Sequence, residues 1–390
     1  MTRRPLRIVL AADTVANYPE GGGHQSWALQ YLLGLLDLGH EATWLELMWS
    51  TGDPASDQAN AMRFLDLMAR HGARDRCLVV IKDENREEHP LEYGEVFGAS
   101  LGAAWRTLQS ADVLWDLALS APASLRQTFP VTVLLDGDPG HLQAAALAHP
   151  LPLAEYDIRF TVGANVGRPG CPVPNLGLSW VYAPPCVHLP MWPRLPSPPE
   201  GAPISSITHW NWGEQDPTID GRLVSTSKRL AHLRYVGLPM SVRRKFSLGA
   251  HLHESDTSGD REILENHGWT ITDPWLVAAS PEDYAAFIAS SWAELSCPKP
   301  IYTELRTGWF SDRSAVYLAT GRPVVMEDTG VGDHVPTGDG LVLFRDFPEA
   351  VDAFGRLHAE WDRHATAARE LAELHFNART VLAGMVDRCT

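Results

Sequence analysis

Residues 302–314 read YTELRTGWFSDRS, and residues 319–330 read ATGRPVVMEDTG. Gly308 has no side chain, so it allows a backbone to approach a ligand closely. The apolar residues that follow it have helical spacing, and Gly321 ends that helix. The run Pro-Val-Val-Met then begins a strand. This stretch therefore predicts a loop, a helix and a strand in succession, as in a parallel α/β domain.

The start of this helix is a candidate anion site. Ser311 or Asp312 can cap the helix, and its first turn continues to Ser314. A helix N-terminus offers free N–H groups to an anion, and Arg306 and Arg313 would add positive charge and bidentate donors. The alternative is an ordinary capped helix between two strands, with no ligand.

The rest of the chain repeats the α/β rhythm. Residues 7–45 contain a strand, a glycine loop, a helix and a second strand, and similar alternation continues to about Tyr182. Eight prolines lie between Pro184 and Pro203, which neither a helix nor a central strand accommodates. We therefore expect an α/β protein with two doubly wound, Rossmann-like domains that face each other across a cleft. The expected divisions are residues 1–183, a hinge at 184–203, residues 204–365, and a C-terminal helix within 366–390 that packs back on the first domain.

Composition narrows the function classes. The chain has 390 residues, 45% of them hydrophobic, and a net charge of −16. These values indicate a globular protein and argue against a nucleic-acid or anionic-membrane partner. The first apolar run is too short for a signal peptide, and the five cysteines form no CxxC pair. We expect a cytoplasmic protein with no membrane insertion and no structural metal site.

The quoted stretch, together with PTGDGLVLF at residues 336–344, resembles the C-terminal half of bacterial GT-B glycosyltransferases related to the broad "group 1" enzymes. Residues 134–140, 160–165 and 267–274 also look like segments of that group. The resemblance implies a nucleoside-diphosphate sugar as co-substrate, held mainly by the second domain, and no obligatory cofactor. It implies that the diphosphate lies on the helix terminus Ser311–Ser314 and that the base lies near Trp269 and Ile271.

One departure from that group concerns the mechanism. Many retaining relatives carry two glutamates eight positions apart, and the corresponding positions here are Gly308 and Val316. The resemblance therefore does not imply a retaining mechanism, and it leaves the stereochemistry of the reaction undetermined. Glu304 is the acidic residue that could substitute.

The loop after the first strand supplies a candidate base. Gly22 and Gly23 permit close contact with an acceptor, and His24 follows them at the start of the first helix. In inverting relatives a histidine of this loop takes the proton of the acceptor hydroxyl, which suits an imidazole near neutral pH. The alternative is that His24 only supports the loop.

Two further pairs are candidates. Asp136 and Asp138 follow a predicted strand, where they could bind a metal, act as a base, or simply form a turn. We do not expect an obligatory metal. Lys228 and Arg229 begin a predicted helix early in the second domain, where they could reach the donor phosphates or be solvated.

The sequence thus leads to the hypothesis of a metal-independent glycosyltransferase that moves a sugar to a small-molecule acceptor. The alternatives are a GT-B-shaped binding or partner protein without activity and a sugar-nucleotide epimerase. A dehydrogenase is disfavoured because the chain lacks the GxGxxG spacing of a dinucleotide site.

Overall fold

The structure, a computed structural model, describes residues 4–83, 85–210, 216–252 and 259–390. Its first domain is built on the strands β1 (Arg7–Ala12), β2 (Glu41–Trp49), β3 (Cys77–Lys82), β4 (Val96–Phe97), β5 (Val113–Leu117), β6 (Thr132–Asp136), β7 (Ile158–Thr161) and β8 (Val181–Tyr182). They form one sheet in the order β4-β3-β2-β1-β5-β6-β7-β8. Neighbouring strands are parallel, except that β4 runs antiparallel to β3.

Helices lie between these strands. They are α1 (His24–Asp37), α2 (Pro54–Arg70), α3 (Pro90–Tyr93), α4 (Leu101–Gln109), α5 (Ala123–Arg126) and α6 (His141–Ala148). Local sequence explains where several begin. Asp53 caps α2 by accepting the Ser56 N–H, and proline occupies the first turn of that helix. β5 and β6 are buried at every position, as expected of parallel strands covered by helices on both faces.

The second domain repeats this architecture. Its strands are β9 (Ile204–Thr208), a short hairpin of β10 (Thr218–Ile219) and β11 (Arg222–Leu223), β12 (Phe246–Ala250), β13 (Trp269–Thr272), β14 (Ala293–Ser296), β15 (Val324–Glu327) and β16 (Leu341–Phe344). The main sheet is fully parallel in the order β13-β12-β9-β14-β15-β16. The predicted fold class, two doubly wound α/β domains, is confirmed.

The helices of the second domain are α7 (Lys228–Leu233), α8 (Leu238–Ser241), α9 (Asp260–Asn266), α10 (Pro274–Val277), α11 (Pro281–Ala289), α12 (Pro300–Glu304), α13 (Asp312–Ala319), α14 (Phe347–Ala359) and α15 (Trp361–Leu371). In the parts of the chain that the structure describes, no helix has both the length and the apolarity of a membrane span.

The end of the chain returns to the first domain. After α15 a short π-helical turn leads into α16 (Ala378–Val386). α16 packs against α1, where a side chain at Gly34 would lie only 2.5 Å from Leu382. The segment that connects the domains also contacts this C-terminal region, because the Val187 N–H donates to the Phe376 carbonyl at 2.6 Å. The exact divisions at residues 183, 203 and 365 stay predictions.

Strand order locates the crevices where ligands bind. In the first sheet the order reverses between β1 and β5, and in the second sheet it reverses between β9 and β14. Doubly wound sheets bind ligands at the carboxyl ends of the strands that flank such a reversal. The segments that follow β1, β9 and β14 are therefore the first places to look for a site.

Candidate active site

The two domains touch through the loops at the carboxyl ends of their strands. The glycine loop after β1 contacts the segment after α10, where the Gly22 N–H donates to the Ala278 carbonyl at 2.7 Å. Gly21 has a φ of 120°, and a side chain there would lie 2.4 Å from the same carbonyl. The close approach that we expected between Gly22 and an acceptor is therefore made to the backbone of the second domain. Gly23 is exposed and has open space around it.

His24 lies directly behind this contact. Its ring packs on Gly22 and lies 5.3 Å from the ring of Tyr18, centroid to centroid. The Nε2 atom is buried and has no hydrogen-bond partner among the described residues. Burial lowers the pKa of His24 to about 4. The imidazole is therefore neutral near pH 7, and its low pKa makes it a weaker proton acceptor than an ordinary histidine.

Asp136 is not in a position to act as a base. One carboxylate oxygen accepts the Asp138 N–H, and the other accepts Gln143 Nε2 and Thr161 Oγ1, all three at 2.9 Å. Burial raises the pKa of Asp136 to about 6. Because both oxygens are used inside the first domain and only 2% of the residue is exposed, the structure argues against the predicted catalytic role. Asp136 instead fixes the turn that follows β6.

Asp138 crosses to the second domain. Its carboxylate lies 2.6 Å from Lys299 Nζ, accepts a hydrogen bond from the Tyr302 hydroxyl, and lies 3.1 Å from His141 Nδ1. Burial opposes ionisation, but the charges of Lys299 and His141 outweigh it and hold the pKa of Asp138 well below its usual range. A carboxylate held so firmly in its ionised form is a weak proton acceptor. Asp138 is better described as the counter-ion of Lys299.

The Gly308 segment also forms a domain contact. Its backbone pairs with the segment after β7, where the Asn165 N–H donates to the Thr307 carbonyl at 3.0 Å and the Ala164 N–H to the Gly308 carbonyl at 3.3 Å. Gly308 has a φ of 72°, and a side chain there would lie 3.0 Å from the Cβ of Ala164. The expectation that Gly308 admits a ligand is therefore corrected, because the backbone that approaches it belongs to the first domain.

The start of α13 is capped as predicted from the sequence pattern. Ser311 precedes the helix, and its hydroxyl accepts the Arg313 N–H. The Ser314 hydroxyl is buried against Ser296, so it does not face the cleft. Asp312 is close to Tyr31 of α1 and contributes, after burial, to the raised pKa of that phenol. The helix terminus therefore faces α1 across the cleft.

Arg313 differs from its predicted role. Its guanidinium lies 2.6 Å from Glu294 and donates to the Ile207 carbonyl at 2.9 Å and to Ser296 at 3.3 Å. Because Glu294 is fully buried, this pairing ties α13 to β9 and β14. A guanidinium with these three partners is not free to clamp a diphosphate, so Arg313 serves as a structural support for the helix terminus.

Two lysines add positive charge to this region, and one of them, Lys299, is paired with Asp138. Lys228 begins α7, and burial lowers its pKa to about 8, with the nearby charges of Arg313 and Lys299 acting in the same direction. Lys299 follows β14, and only 7% of its side chain is exposed. The sequence did not reveal Lys299, because β14 carries the polar residues Glu294 and Ser296 at buried positions and was not recognised as a strand.

Three other predicted donor residues have partners of their own. Arg229 makes a two-pronged ion pair with buried Asp260 at 2.5 and 2.8 Å, which argues against a phosphate contact. Trp269 is 4% exposed and donates to the Val236 carbonyl at 2.8 Å, so it belongs to the core. Glu304 pairs with Arg222 of the β10–β11 hairpin.

Two predicted residues keep an open side chain. Ile271 pairs in register with Leu248 near the end of β13 and is only partly buried. Arg306 is 55% exposed and has a φ of 45°, an uncommon backbone conformation for a residue with a side chain. In the described residues, no three His, Cys, Asp or Glu side chains come together as metal ligands.

The architecture defines a class. Two open parallel sheets that face each other across a cleft, with a last helix that crosses back to the first domain, constitute the GT-B fold. Solved structures match over nearly their whole lengths. HepE from Anabaena, solved with UDP and glucose, is 12% identical with a TM-score of 0.58, and the match covers 98% of this chain and 99% of HepE.

Two other glycosyltransferases give similar values. Sucrose-phosphate synthase from Thermosynechococcus elongatus is 13% identical with a TM-score of 0.56, over 99% of this chain and 98% of that protein. A glycosyltransferase from Rickettsia africae is 11% identical with a TM-score of 0.58, over the same shares. No family profile and no curated sequence matches this chain. At this identity the likeness establishes the GT-B fold, which confirms the fold that the sequence motifs implied.

Proposed function

We propose that this protein is a glycosyltransferase that uses a nucleoside-diphosphate sugar as donor. The observation that carries the proposal is the pair Lys228 and Lys299. Lys228 interacts electrostatically with Lys299 and with Asp312 and Arg313 at the start of α13, and Lys299 follows β14, at the strand-order reversal of the second sheet. Two ammonium groups and a helix N-terminus are suited to a diphosphate. Anabaena HepE, which has the same fold, was solved with UDP-glucose, which supports a nucleotide sugar as the ligand class.

The proposed reaction joins an acceptor hydroxyl to the anomeric carbon of the donor. The new bond forms between the acceptor oxygen and that carbon, and the bond from the carbon to the diphosphate oxygen breaks. Lys228, Lys299 and the α13 terminus stabilise the charge that develops on the leaving diphosphate. The hydroxyl proton passes to Nε2 of His24, the acceptor being a small molecule bound by the first domain.

These lysines also bear on whether the reaction needs a divalent metal ion. They supply positive charge next to the leaving group, which is the service that a divalent cation performs in other transferases. We therefore propose a metal-independent reaction, and activity that is insensitive to EDTA is the expected result. The donor base is proposed to lie near Ile271, at the end of β13.

Nucleotide binding tests the proposal directly. UDP, dTDP and GDP are added separately while the melting temperature is measured, and the nucleotide that binds raises it. Lys228→Ala and Lys299→Ala should each lose most of that increase. The matched control is Lys245→Ala, which removes an exposed lysine just before β12 and should leave the increase unchanged. If none of the three nucleotides stabilises the protein, the donor assignment is wrong.

A binding protein without transferase activity is the second candidate. One observation favours it, because both positions that carry glutamates in retaining relatives are inaccessible here. Gly308 is occupied by a domain contact, and Val316 is 1% exposed in the core. The two candidates differ in turnover. A transferase releases nucleoside diphosphate from its donor in the presence of an acceptor, whereas a binding protein shows the rise in melting temperature alone.

A further inference from the structure

A polar pocket lies at the carboxyl ends of β15 and β16, outside the crevice of the proposed donor site. Its volume is about 310 Å³. That value is at the low end for ligand sites and suits a molecule of monosaccharide size. The pocket takes its charged lining from three arginines and three acids, which are Arg306, Arg345, Arg356, Asp328, Asp333 and Glu349.

Two of the acids are already engaged. One Asp328 oxygen lies 3.4 Å from Arg306 and 3.5 Å from Arg345, and the other accepts the Gly330 N–H at 2.8 Å. Glu349 accepts the Arg345 N–H at 2.9 Å in the first turn of α14, where it helps to cap the helix. Asp333 is the third acid of the pocket, and its carboxylate can accept a hydrogen bond from a bound molecule.

The arginines have more donors than these acids use. Each guanidinium has five N–H groups, and the contacts of Arg306 and Arg345 to Asp328 are long. Arg345 is 75% exposed. Arg356 is exposed and makes no side-chain hydrogen bond or ion pair with any residue in the described ranges. The pocket therefore holds guanidinium donors suited to a phosphate or carboxylate, and Asp333 suited to a hydroxyl group.

The wall of the pocket is also part of the domain contact. Asn165 of the first domain donates through its side-chain amide to the Arg306 carbonyl at 2.8 Å. Its amide oxygen lies 2.7 Å from Nε2 of His334. Arg306, whose backbone φ is 45°, thus presents its side chain to the pocket and its carbonyl to the other domain. A ligand that orders the Arg306 side chain would therefore also order the Arg306 carbonyl, which accepts the hydrogen bond from Asn165.

We propose that this pocket binds a small anionic polyol, in which the arginines hold a phosphate or carboxylate group and Asp333 accepts a hydroxyl group. The bound molecule strengthens the domain contact at Asn165. The proposal does not rest on transferase activity, because the pocket and the lysine pair lie at the ends of different strands.

Binding is measured by calorimetry with three probes in the millimolar range, which are glucose 6-phosphate, glucuronate and glucose. At least one of the two anionic sugars should bind, and glucose should not. Which anion binds distinguishes phosphate from carboxylate. Arg345→Ala and Arg356→Ala should each weaken binding about tenfold, the effect of losing one charge-assisted hydrogen bond. The control is Arg363→Ala, which removes another exposed arginine of the same domain.

Hydrogen exchange tests the coupling to the domain contact. The amides of Ala164 and Asn165 donate across the domain boundary, so their exchange should slow when the anionic sugar is bound. The pocket assignment is overturned if neither anionic sugar binds, or if the two arginine variants bind as well as the native protein. Unchanged exchange at Ala164 and Asn165 would overturn the coupling. A failed donor test with Lys228 affects none of these outcomes.

Discussion

Replacing Asp138 with asparagine should lower stability and strengthen nucleotide binding at the same time. The substitution keeps the shape of the side chain and removes its charge. Asp138 lies 2.6 Å from Lys299 Nζ and is the counter-ion that joins the two domains. Removing this charge makes the surroundings of Lys299 and Lys228 less negative, in a crevice where we propose that an anion binds.

The loss of stability is estimated from the interactions removed. A hydrogen bond to a charged group contributes about 1.5–3 kcal/mol. The Asp138 side chain is 37% exposed, so solvent screens the pair and the lower figure applies. About 1.5 kcal/mol corresponds to a fall of about 2 °C in melting temperature for a protein of this size.

The gain in affinity follows from Coulomb's law. Removing one negative charge removes its repulsion of a bound anion, which at an effective dielectric constant of about 20 is about 1–2 kcal/mol for unit charges roughly 8–16 Å apart. Calorimetric titration with the nucleoside diphosphate that stabilises the native protein should therefore give about tenfold tighter binding to Asp138→Asn.

The control is Asp37→Asn, which removes the partner of His188 at 2.9 Å, outside the cleft. It should leave nucleotide affinity unchanged. The reasoning is refuted if Asp138→Asn binds the nucleotide no better than the native protein does. The pH dependence is a further check. Because the pKa of Asp138 is depressed, its contribution is present above the unfolded pKa of about 4 and is lost as pH falls toward the folded pKa, so the two proteins should converge in acid.

Three further predictions test the contacts described above. Gly308→Ala should destabilise the protein by about 1–3 kcal/mol, because of its positive φ and the contact with Ala164, whereas Gly355→Ala, in open space on α14, should stabilise it by about 0.5–1 kcal/mol; chemical denaturation measures both. His24→Gln should reduce kcat for transfer at least about 100-fold while the nucleotide-induced rise in melting temperature is kept, and equal loss of both would point to a structural role. Nucleotide binding at pH 8 should take up protons, because the pKa of Lys228 is about 8 without ligand and an adjacent diphosphate raises it; calorimetry in two buffers of different ionisation enthalpy detects this, and Lys228→Ala should abolish it.

Sequence pattern predicted the fold well where apolar runs were uninterrupted. β5 and β6 are buried along their lengths and β1 at every position after Arg7, and their composition alone indicated parallel strands. β14 was missed because its short run, Ala-Glu-Leu-Ser, contains two polar residues. Both residues are buried and accept hydrogen bonds from Arg313, which lies on a helix more than ten residues away in sequence. No local pattern contains that information, so Lys299 at the end of the strand was missed as well.

The candidate site was harder to predict, because residue type does not reveal which partner a charged side chain binds in the folded protein. Arg229 and Arg313 have the charge that a phosphate requires, but each is bound to a buried carboxylate from another element. Asp136 and Asp138 are two positions apart and differ completely, since one is satisfied within its own domain and the other pairs with Lys299. These distinctions depend on contacts between distant parts of the chain.

At Gly308 this protein has a backbone contact between the two domains in place of an acidic side chain. In many retaining members of the group that the sequence resembles this position carries a glutamate, whereas here the backbone of residues 307 and 308 pairs with Ala164 and Asn165 of the first domain. A side chain at Gly308 would clash with that pairing, so a return to glutamate would cost the domain contact. Because Val316 is also closed to solvent, an acidic residue on this side of the cleft cannot face the anomeric carbon from either position. On the opposite wall His24 is neutral and its Nε2 has no partner in the described chain, so His24 stays the proton acceptor that we propose.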